Sequence, residues 1–190
     1  MKMPRPDAAV LQRRAEIVEA LRRIVPGEGV IVSEPERRAY ESDGLTAYRQ
    51  LPLVVVLPSR VEEVAAVLRY CKDLGVKVVP RGAGTSLSGG ALPLADGVLL
   101  GMGKFNRVMD IDYANCCITV QPGVTNLGVS QAVEAAGFYY APDPSSQIAC
   151  TIGGNVAENS GGVHCLKYGL TTNNLLGVEL VLIDGEIVRL

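Results

Sequence analysis

The sequence predicts an α+β protein that combines a small parallel β-α-β sheet with a second, mixed or antiparallel sheet. An apolar run at 53–57, an amphipathic helix behind it and a β-branched run at 76–79 form one β-α-β unit. Two further pairs of short strands flank turns at 113–115 and 184–185. The length of 190 residues suits one large domain or two small lobes.

The composition is that of a globular protein. Hydrophobic residues make up 48% and charged residues 20%, and the net charge of −2 gives no electrostatic footprint for nucleic acid. The longest apolar run, at 53–57, cannot span a bilayer, and the N-terminus lacks the apolar segment of a secretory signal. We therefore expect no nucleic-acid partner, no transmembrane segment and a cytoplasmic location.

Five cysteines occur without a C-x-x-C spacing, so we expect neither a disulfide framework nor a metal site. Cys116 and Cys117 are adjacent. If both lie in a strand, their side chains face opposite sides of the sheet.

The first half of the chain contains two predicted helices. Asp7 is the expected N-cap of a helix that carries Val10, Ile17 and Leu21 on one face and ends at Pro26-Gly27. Few strand signals occur at 28–50. The segment 59–62, from Ser59 to Glu62, fits a capping box that begins the helix of the β-α-β unit, and Gly75 ends that helix.

The second half alternates strands, a helix and rigid loops. We predict a strand at 98–100, a hairpin from 107–112 and 116–121, and a helix over 126–136 that stops at Gly137. Two prolines stiffen 138–146. A final hairpin of 177–183 and 186–190 is expected around a two-residue Asp184-Gly185 turn. Because the sequence stops inside that strand, we expect a fragment of a longer chain.

A glycine-rich segment, 80–90, follows the strand at 76–79. Its glycines allow close approach of a ligand to the main chain, and successive N–H groups in such turns can hold an anion. The segment matches neither the dinucleotide fingerprint, because Leu87 stands at a glycine position, nor a P-loop. A nucleotide diphosphate is the favoured ligand; a flexible surface loop is the alternative.

A second glycine- and asparagine-rich cluster, 151–162, repeats this chemistry. The amides of Asn155 and Asn159 offer donors and acceptors for a polar ligand; a loop with helix caps is the alternative. His164 is the only histidine and has no acidic partner nearby in sequence. A packing or hydrogen-bonding role is therefore favoured over catalysis.

Four motifs in this order resemble the FAD-binding domain of the vanillyl-alcohol oxidase/p-cresol methylhydroxylase type. They are Pro80-Arg81-Gly82-Ala83-Gly84-Thr85-Ser86, Pro142-Asp143-Pro144-Ser145-Ser146, Gly153-Gly154-Asn155 with Asn159-Ser160-Gly161-Gly162, and Lys167-Tyr168-Gly169. Within that superfamily the chain is most similar to the glycolate oxidase-like and D-lactate dehydrogenase-like FAD-linked 2-hydroxy acid dehydrogenases. The resemblance covers essentially the whole chain.

The resemblance implies one FAD-binding domain at 1–190, with subdomains at about 1–100 and 101–190, the second truncated, and FAD between them. The implied cofactor-binding residues fall into three groups. The pyrophosphate group is Arg81, Gly82, Ala83, Gly84, Thr85, Ser86 and Ser88. The group toward the flavin is Pro142, Asp143, Ser145 and Ser146. The rest of the cleft is Thr151, Gly153, Gly154, Asn155, Asn159, Ser160 and Gly162, with Val188 offering backbone groups to the adenine.

The implied activity is oxidation of a small 2-hydroxy acid, glycolate or D-lactate, by hydride transfer to FAD. Thr85 stands where covalent relatives often carry histidine, so FAD is expected to be non-covalent. Catalytic residues are expected in the missing cap domain, so this fragment alone should be inactive. An iron–sulfur subunit is an expected partner, which leaves open peripheral attachment to the inner membrane. A non-catalytic flavin-binding subunit and a same-fold flavoenzyme with another substrate remain as alternatives.

Overall fold

The structure, a computed structural model, describes residues 3–190 and divides them into two compact units. One unit contains the described chain through Gly101 together with Glu179–Leu190, and the other is Met102–Val178. The expected second subdomain, 101–190, thus differs from the observed unit at its C-terminal end. The α+β class is confirmed, since helices accompany a mixed sheet and separate antiparallel pairs.

A four-stranded sheet forms the centre of the first unit. Its strands are β1 (Val30–Ile31), β2 (Val54–Val56), β3 (Lys77–Arg81) and β4 (Gly97–Gly101), in the order β1-β2-β4-β3. The last three are parallel, with Val55 and Val79 both paired to Leu99, and β1 is antiparallel to β2. All of β2 is buried, as its continuous apolar run predicts. The two-residue β1 was not predicted.

The helices of this unit are α1 (Ala8–Gln12), α2 (Arg14–Ile24), α3 (Glu34–Arg37) and α4 (Val61–Asp73). Asp7 caps α1 as predicted, because its carboxylate accepts a hydrogen bond from the Ala9 N–H at 2.8 Å. The single helix predicted here is in fact two, since Arg13 (φ −88°, ψ 9°) interrupts it. Ile17 and Leu21 are fully buried, as the apolar face predicts.

The start of α4 lies one residue later than the predicted capping box. Arg60 is the N-cap, so the third helical residue is Glu63 rather than Glu62. The Glu63 carboxylate accepts from the Ser59 N–H at 2.8 Å and from Arg60 Nε at 3.0 Å. Glu63 is buried, whereas Glu62 is exposed. A glutamate of the first helical turn therefore does accept a hydrogen bond from the backbone before the helix, but it is Glu63 and not the predicted Glu62.

The second unit is built from one hairpin and three helices. They are β5 (Val108–Asp112), β6 (Cys117–Val120), α5 (Asn126–Val133), α6 (Ile152–Glu158) and α7 (Cys165–Tyr168). A short 3-10 turn continues α5 to Ala136, and Gly137 ends it with φ +79°, as predicted. Within residues 3–190 the longest helix has 13 residues, and none has the length and apolar character needed to cross a membrane.

The terminal hairpin, β7 (Glu179–Val181) and β8 (Ile187–Arg189), belongs to the first unit. The turn is longer than the predicted Asp184-Gly185. The Leu182 N–H donates to the Glu186 carbonyl at 2.8 Å, so the turn occupies 183–185. Arg69 on α4 donates to the Asp184 carbonyl at 3.1 Å. A side chain at Gly185 would lie 2.6 Å from the Ala65 carbonyl, so the turn packs directly on α4.

Glu63 should link stability to pH. Burial raises the pKa of its carboxyl, but hydrogen bonds from Ser59 and Arg60 outweigh burial, so the pKa lies below the ordinary value. A lowered folded-state pKa gives stability that is present above the unfolded value of about 4.3 and is lost as pH falls through the folded value.

We expect Glu63→Gln to lower the free energy of unfolding by about 1 kcal/mol at pH 7. The difference from wild type should shrink in acid, where wild-type Glu63 is itself protonated. Urea unfolding of the variant and the wild type, at pH 7 and in acid, measures this difference. Glu62→Gln is the matched control and should change the free energy of unfolding little. Equal effects of the two substitutions at pH 7 would contradict the assignment.

Candidate functional site

The first glycine loop, residues 82–90, begins where β3 ends. Ser86 organises it, because its hydroxyl oxygen accepts from the Ser88 N–H at 3.2 Å and the Gly90 N–H at 3.4 Å. In the described structure the N–H groups of residues 82–87 donate no hydrogen bond. A run of unpaired N–H groups on a glycine-rich turn is the arrangement that an anion requires.

Arg81 lies inside the first unit and supports this loop. Its Nη1 donates to the Ser42 carbonyl at 2.7 Å and to the Ala91 carbonyl at 3.3 Å. The guanidinium lies 5.8 Å from the centre of the Tyr40 ring. Burial lowers the pKa of Arg81, and the nearby Asp43 carboxylate opposes that effect. A side chain on Gly84, which has φ +74°, would overlap the guanidinium.

Residues 42–44, which the sequence analysis did not single out, also hold the loop. A Cβ on Gly44 would lie 2.7 Å from the Ser86 carbonyl oxygen and 2.8 Å from that of Thr85. Asp43 is buried and accepts from the Leu45 N–H at 2.9 Å. The sequence signal was available, since Ser-Asp-Gly is a typical turn tripeptide. Its meaning depends on a contact some forty residues away.

The second cluster is partly helical rather than a loop throughout. Thr151 is the N-cap of α6, Gly153, Gly154 and Asn155 lie within it, and Asn159 ends it with φ +51°. The helix-cap alternative thus describes Asn159, whereas Asn155 lies within the helix. Thr151 Oγ1 and Asn155 Nδ2 are buried and have no hydrogen-bond partner in the part of the chain that is described.

The two glycines of α6 have different surroundings. A Cβ on Gly153 would lie 2.7 Å from Pro122 Cβ and 3.1 Å from the Pro122 carbonyl oxygen. Among the described residues, a Cβ on Gly154 would meet only Thr151 Oγ1, at 3.5 Å. Gly153 is therefore needed for packing within the unit, whereas Gly154 leaves open space beside the helix.

Four of the predicted residues line one open cavity of the second unit: Asp143, Ser145, Ser160 and Gly162. The segment that carries the first two is held by Asn126, whose Nδ2 donates to the Pro142 carbonyl at 2.9 Å. Asn126 is almost fully buried and was not predicted. Ser146 lies in the same segment, where its carbonyl accepts from the Cys150 N–H at 2.8 Å.

His164 has the acidic partner that its neighbours in sequence did not supply. Its Nδ1 lies 2.5 Å from Asp143 Oδ2, and its backbone N–H donates to Asp143 Oδ1 at 3.4 Å. Burial raises the pKa of Asp143, but the hydrogen bonds from His164 outweigh burial, so the pKa lies below the ordinary value. A side chain on Gly162 would overlap Asp143. Asp143 thus fixes the segment 162–164.

Asn159, Ser160 and Val188 form contacts within their own units. The Asn159 Oδ1 accepts from the Thr172 N–H and hydroxyl, each at 3.0 Å. The Ser160 carbonyl accepts from the Thr171 hydroxyl at 2.8 Å. Val188 lies on β8 in the first unit, paired with Leu180.

Solved structures identify the class of protein. The substrate-bound structure of p-cresol methylhydroxylase matches with a TM-score of 0.79 at 20% identity, over 98% of this chain and 36% of that one. The 4-ethylphenol oxidase of Gulosibacter chungangensis matches with a TM-score of 0.81 at 26% identity, over 99% and 36%. The fold is therefore that of the p-cresol methylhydroxylase-type flavoproteins.

Residues 52–190 match the family described as FAD binding domain, and the chain belongs to that family. It is 58% identical to the glycolate oxidase subunit GlcD of Escherichia coli K12 over 177 residues, covering 93% of this chain and 36% of that protein. It is 36% identical to the D-lactate dehydrogenase of Anaerostipes hadrus over 176 residues, covering 92% and 37%. The chain thus spans little more than a third of these relatives. The family and the FAD cofactor expected from the motifs are confirmed.

The chain's own groups fit this cofactor. Unpaired N–H groups at 82–87 suit a diphosphate. The buried Thr151 hydroxyl and Asn155 amide, which lack partners, suit a polar ligand that enters beside α6. Gly154 leaves room for that approach.

The two glycines of α6 should respond oppositely to alanine. We expect Gly154→Ala to raise the free energy of unfolding by about 0.5–1 kcal/mol, because alanine favours a helix. Gly153→Ala should lower it by about 1–3 kcal/mol, because the methyl group meets Pro122. Urea unfolding without FAD measures both. The same sign of change in both variants would contradict the packing described.

Proposed function

We propose that this chain is the FAD-binding part of an oxidoreductase that oxidises a small 2-hydroxy acid, glycolate or D-lactate. The observation that carries the proposal is the 58% identity to a glycolate oxidase subunit over 93% of the chain. The similarity to a D-lactate dehydrogenase keeps D-lactate as the second candidate substrate.

The first glycine loop would hold the diphosphate of FAD through its main chain. The N–H groups of residues 82–87 are unpaired, and the Thr85, Ser86 and Ser88 hydroxyls add donors nearby. The Arg81 guanidinium is already bonded to two carbonyls, so its part is to keep the loop in shape. Its buried positive charge also favours an anion above it.

The second unit would hold the rest of the cofactor. We assign Pro142, Asp143, Ser145 and Ser146 to the flavin end, on the resemblance and on the cavity that Asp143 and Ser145 line. The remaining contacts proposed for this unit are Thr151, Gly153, Gly154, Asn155, Asn159, Ser160 and Gly162. Main-chain groups of Val188, which belongs to the first unit, are proposed to contact the adenine. FAD, when bound, supplies the acceptor for the hydride.

The parts that complete the reaction are proposed to lie elsewhere in the protein. On the resemblance, the groups that bind the substrate carboxylate and take its hydroxyl proton are assigned to a cap domain. We further propose non-covalent FAD, an iron–sulfur electron-transfer partner and a cytoplasmic location. A relative named as a subunit supports the expectation of partners.

The substrate is tested by anaerobic reduction of the full-length protein with FAD bound. We expect glycolate or D-lactate to bleach the flavin absorbance within the mixing time or seconds, and NADPH to leave it unchanged. Bleaching by NADPH alone would identify a flavoenzyme of another substrate class. Flavin that no 2-hydroxy acid reduces would favour a non-catalytic subunit.

The diphosphate role is tested by Gly44→Ala, which adds a methyl group against the Thr85 and Ser86 carbonyls. We expect FAD affinity to fall roughly tenfold or more, because displacing a packed backbone costs about 1–3 kcal/mol. Gly103→Ala is the control, since a Cβ at Gly103 meets no atom of residues 3–190 within 4 Å. Equal FAD affinity in the two variants, measured by titration calorimetry, would remove the role assigned to this loop.

The mode of attachment is tested by denaturation. Because Thr85 offers no imidazole for a covalent bond, we expect acid precipitation to leave all flavin in the supernatant. Flavin absorbance that remains with the washed precipitate would show a covalent link.

A further inference from the structure

Two adjacent cysteines, Cys116 and Cys117, lie at the turn between β5 and β6. Cys116 precedes the strand and has φ +55°, in the left-handed region, and Cys117 begins β6. Since Cys116 is outside the strand, the two side chains are released from the alternation that a strand imposes. Both residues line one cavity of the second unit, together with Tyr113 and Phe138.

Both thiols point to the same turn. Cys116 Sγ donates to the Tyr113 carbonyl at 3.9 Å, and Cys117 Sγ donates to the Asn115 carbonyl at 3.1 Å. The acceptors are two residues apart, so the sulfur atoms are held over one short stretch of backbone. Cys116 is exposed and Cys117 is partly exposed.

The other cysteines lack this combination of access and a neighbouring thiol. Cys71 and Cys150 are buried, and burial raises the pKa of Cys71 to about 12, which makes it an unreactive thiol. Cys165 is partly exposed but has no cysteine beside it in sequence. The adjacent pair is therefore distinguished by its surroundings and not only by its sequence.

We propose that Cys116 and Cys117 form a reversible redox-modification site, at which a hydroperoxide converts the two thiols to a disulfide between adjacent residues. The site is separate from the residues assigned to FAD, so the proposal does not depend on the proposed function.

The chemistry requires one peroxide for each pair. The sulfur of Cys116, the more exposed residue of the two, attacks the peroxide and becomes a sulfenic acid; with hydrogen peroxide the leaving oxygen departs as water. The Cys117 sulfur then attacks the Cys116 sulfur, the S–S bond forms and a second water departs. Two electrons pass from the thiols to the peroxide, and two hydrogen atoms leave the protein.

The geometry favours a bond that is easily reduced. The Cα atoms of neighbouring residues are about 3.8 Å apart, whereas the Cα atoms of ordinary disulfides lie about 4.4–6.8 Å apart. The strain in such a ring makes the disulfide more reducible than a structural one.

The test uses the FAD-bound protein, treated with hydrogen peroxide and then with iodoacetamide, followed by mass spectrometry of the peptide that contains both residues. We expect that peptide to lose two hydrogen atoms and to escape alkylation, and dithiothreitol to restore two alkylated thiols. In Cys117→Ser, dimedone should trap a sulfenic acid at Cys116. Cys165→Ser is the matched control and should leave the result unchanged.

A second measurement tests the closeness of the thiols without oxidation. One equivalent of phenylarsine oxide, which bridges neighbouring thiols, should protect both residues from iodoacetamide in wild type but not in Cys116→Ser or Cys117→Ser. Full alkylation of both residues after peroxide would overturn the proposal. So would disulfides that only join two protein molecules, or oxidation that stops at sulfenic or sulfinic acid in wild type.

Discussion

A buried guanidinium beside a glycine-rich turn is the interaction on which the part of the first unit proposed to bind the cofactor depends. Arg81 lies at the end of β3, and its guanidinium donates hydrogen bonds to the carbonyls of Ser42 and Ala91. A buried charge is tolerated only when such partners satisfy it. In the described structure the backbone N–H groups of residues 82–87 are unpaired, and Gly84 lies against the guanidinium.

The second unit uses the same principle with other groups. Asn126 holds the Pro142 carbonyl, and Asp143 holds the ring and backbone of His164. These buried or partly buried side chains bond to loop backbone, and they give irregular segments a fixed shape without helices or strands. Among the described residues of this unit, buried polar atoms of Asn126, Thr151 and Asn155 have no hydrogen-bond partner, so this satisfaction is incomplete. A ligand is the simplest reason to keep an unsatisfied polar group.

Local patterns predicted the features whose causes are local. The apolar run of β2, the amphipathic face of α2, the Asp7 cap and the glycine-rich segment after β3 follow from periodicity and residue type. The two-residue β1 was missed because it exists only by pairing with β2. Helix α6 was missed because glycine disfavours helices, whereas the packing of Gly153 on Pro122 overrides that preference.

Contacts between distant positions explain the other differences. Asp143 and His164 are 21 residues apart, and Gly44 meets the carbonyls of residues 85 and 86. The terminal hairpin joins the first unit because its turn packs on α4, which no local signal reveals. The order of the motifs nevertheless predicted the family. Several glycine-rich motifs in a fixed order indicate a shared ligand, and that indication does not depend on any one local structure.

The most direct measurement is an NMR titration of the isotopically labelled protein, which follows the backbone amides of residues 82–87. FAD should shift these amide resonances strongly, while riboflavin, which lacks the diphosphate, should leave them nearly unchanged. If saturating FAD leaves these resonances in place, or if riboflavin moves them equally, the loop does not hold the diphosphate and the central claim is wrong.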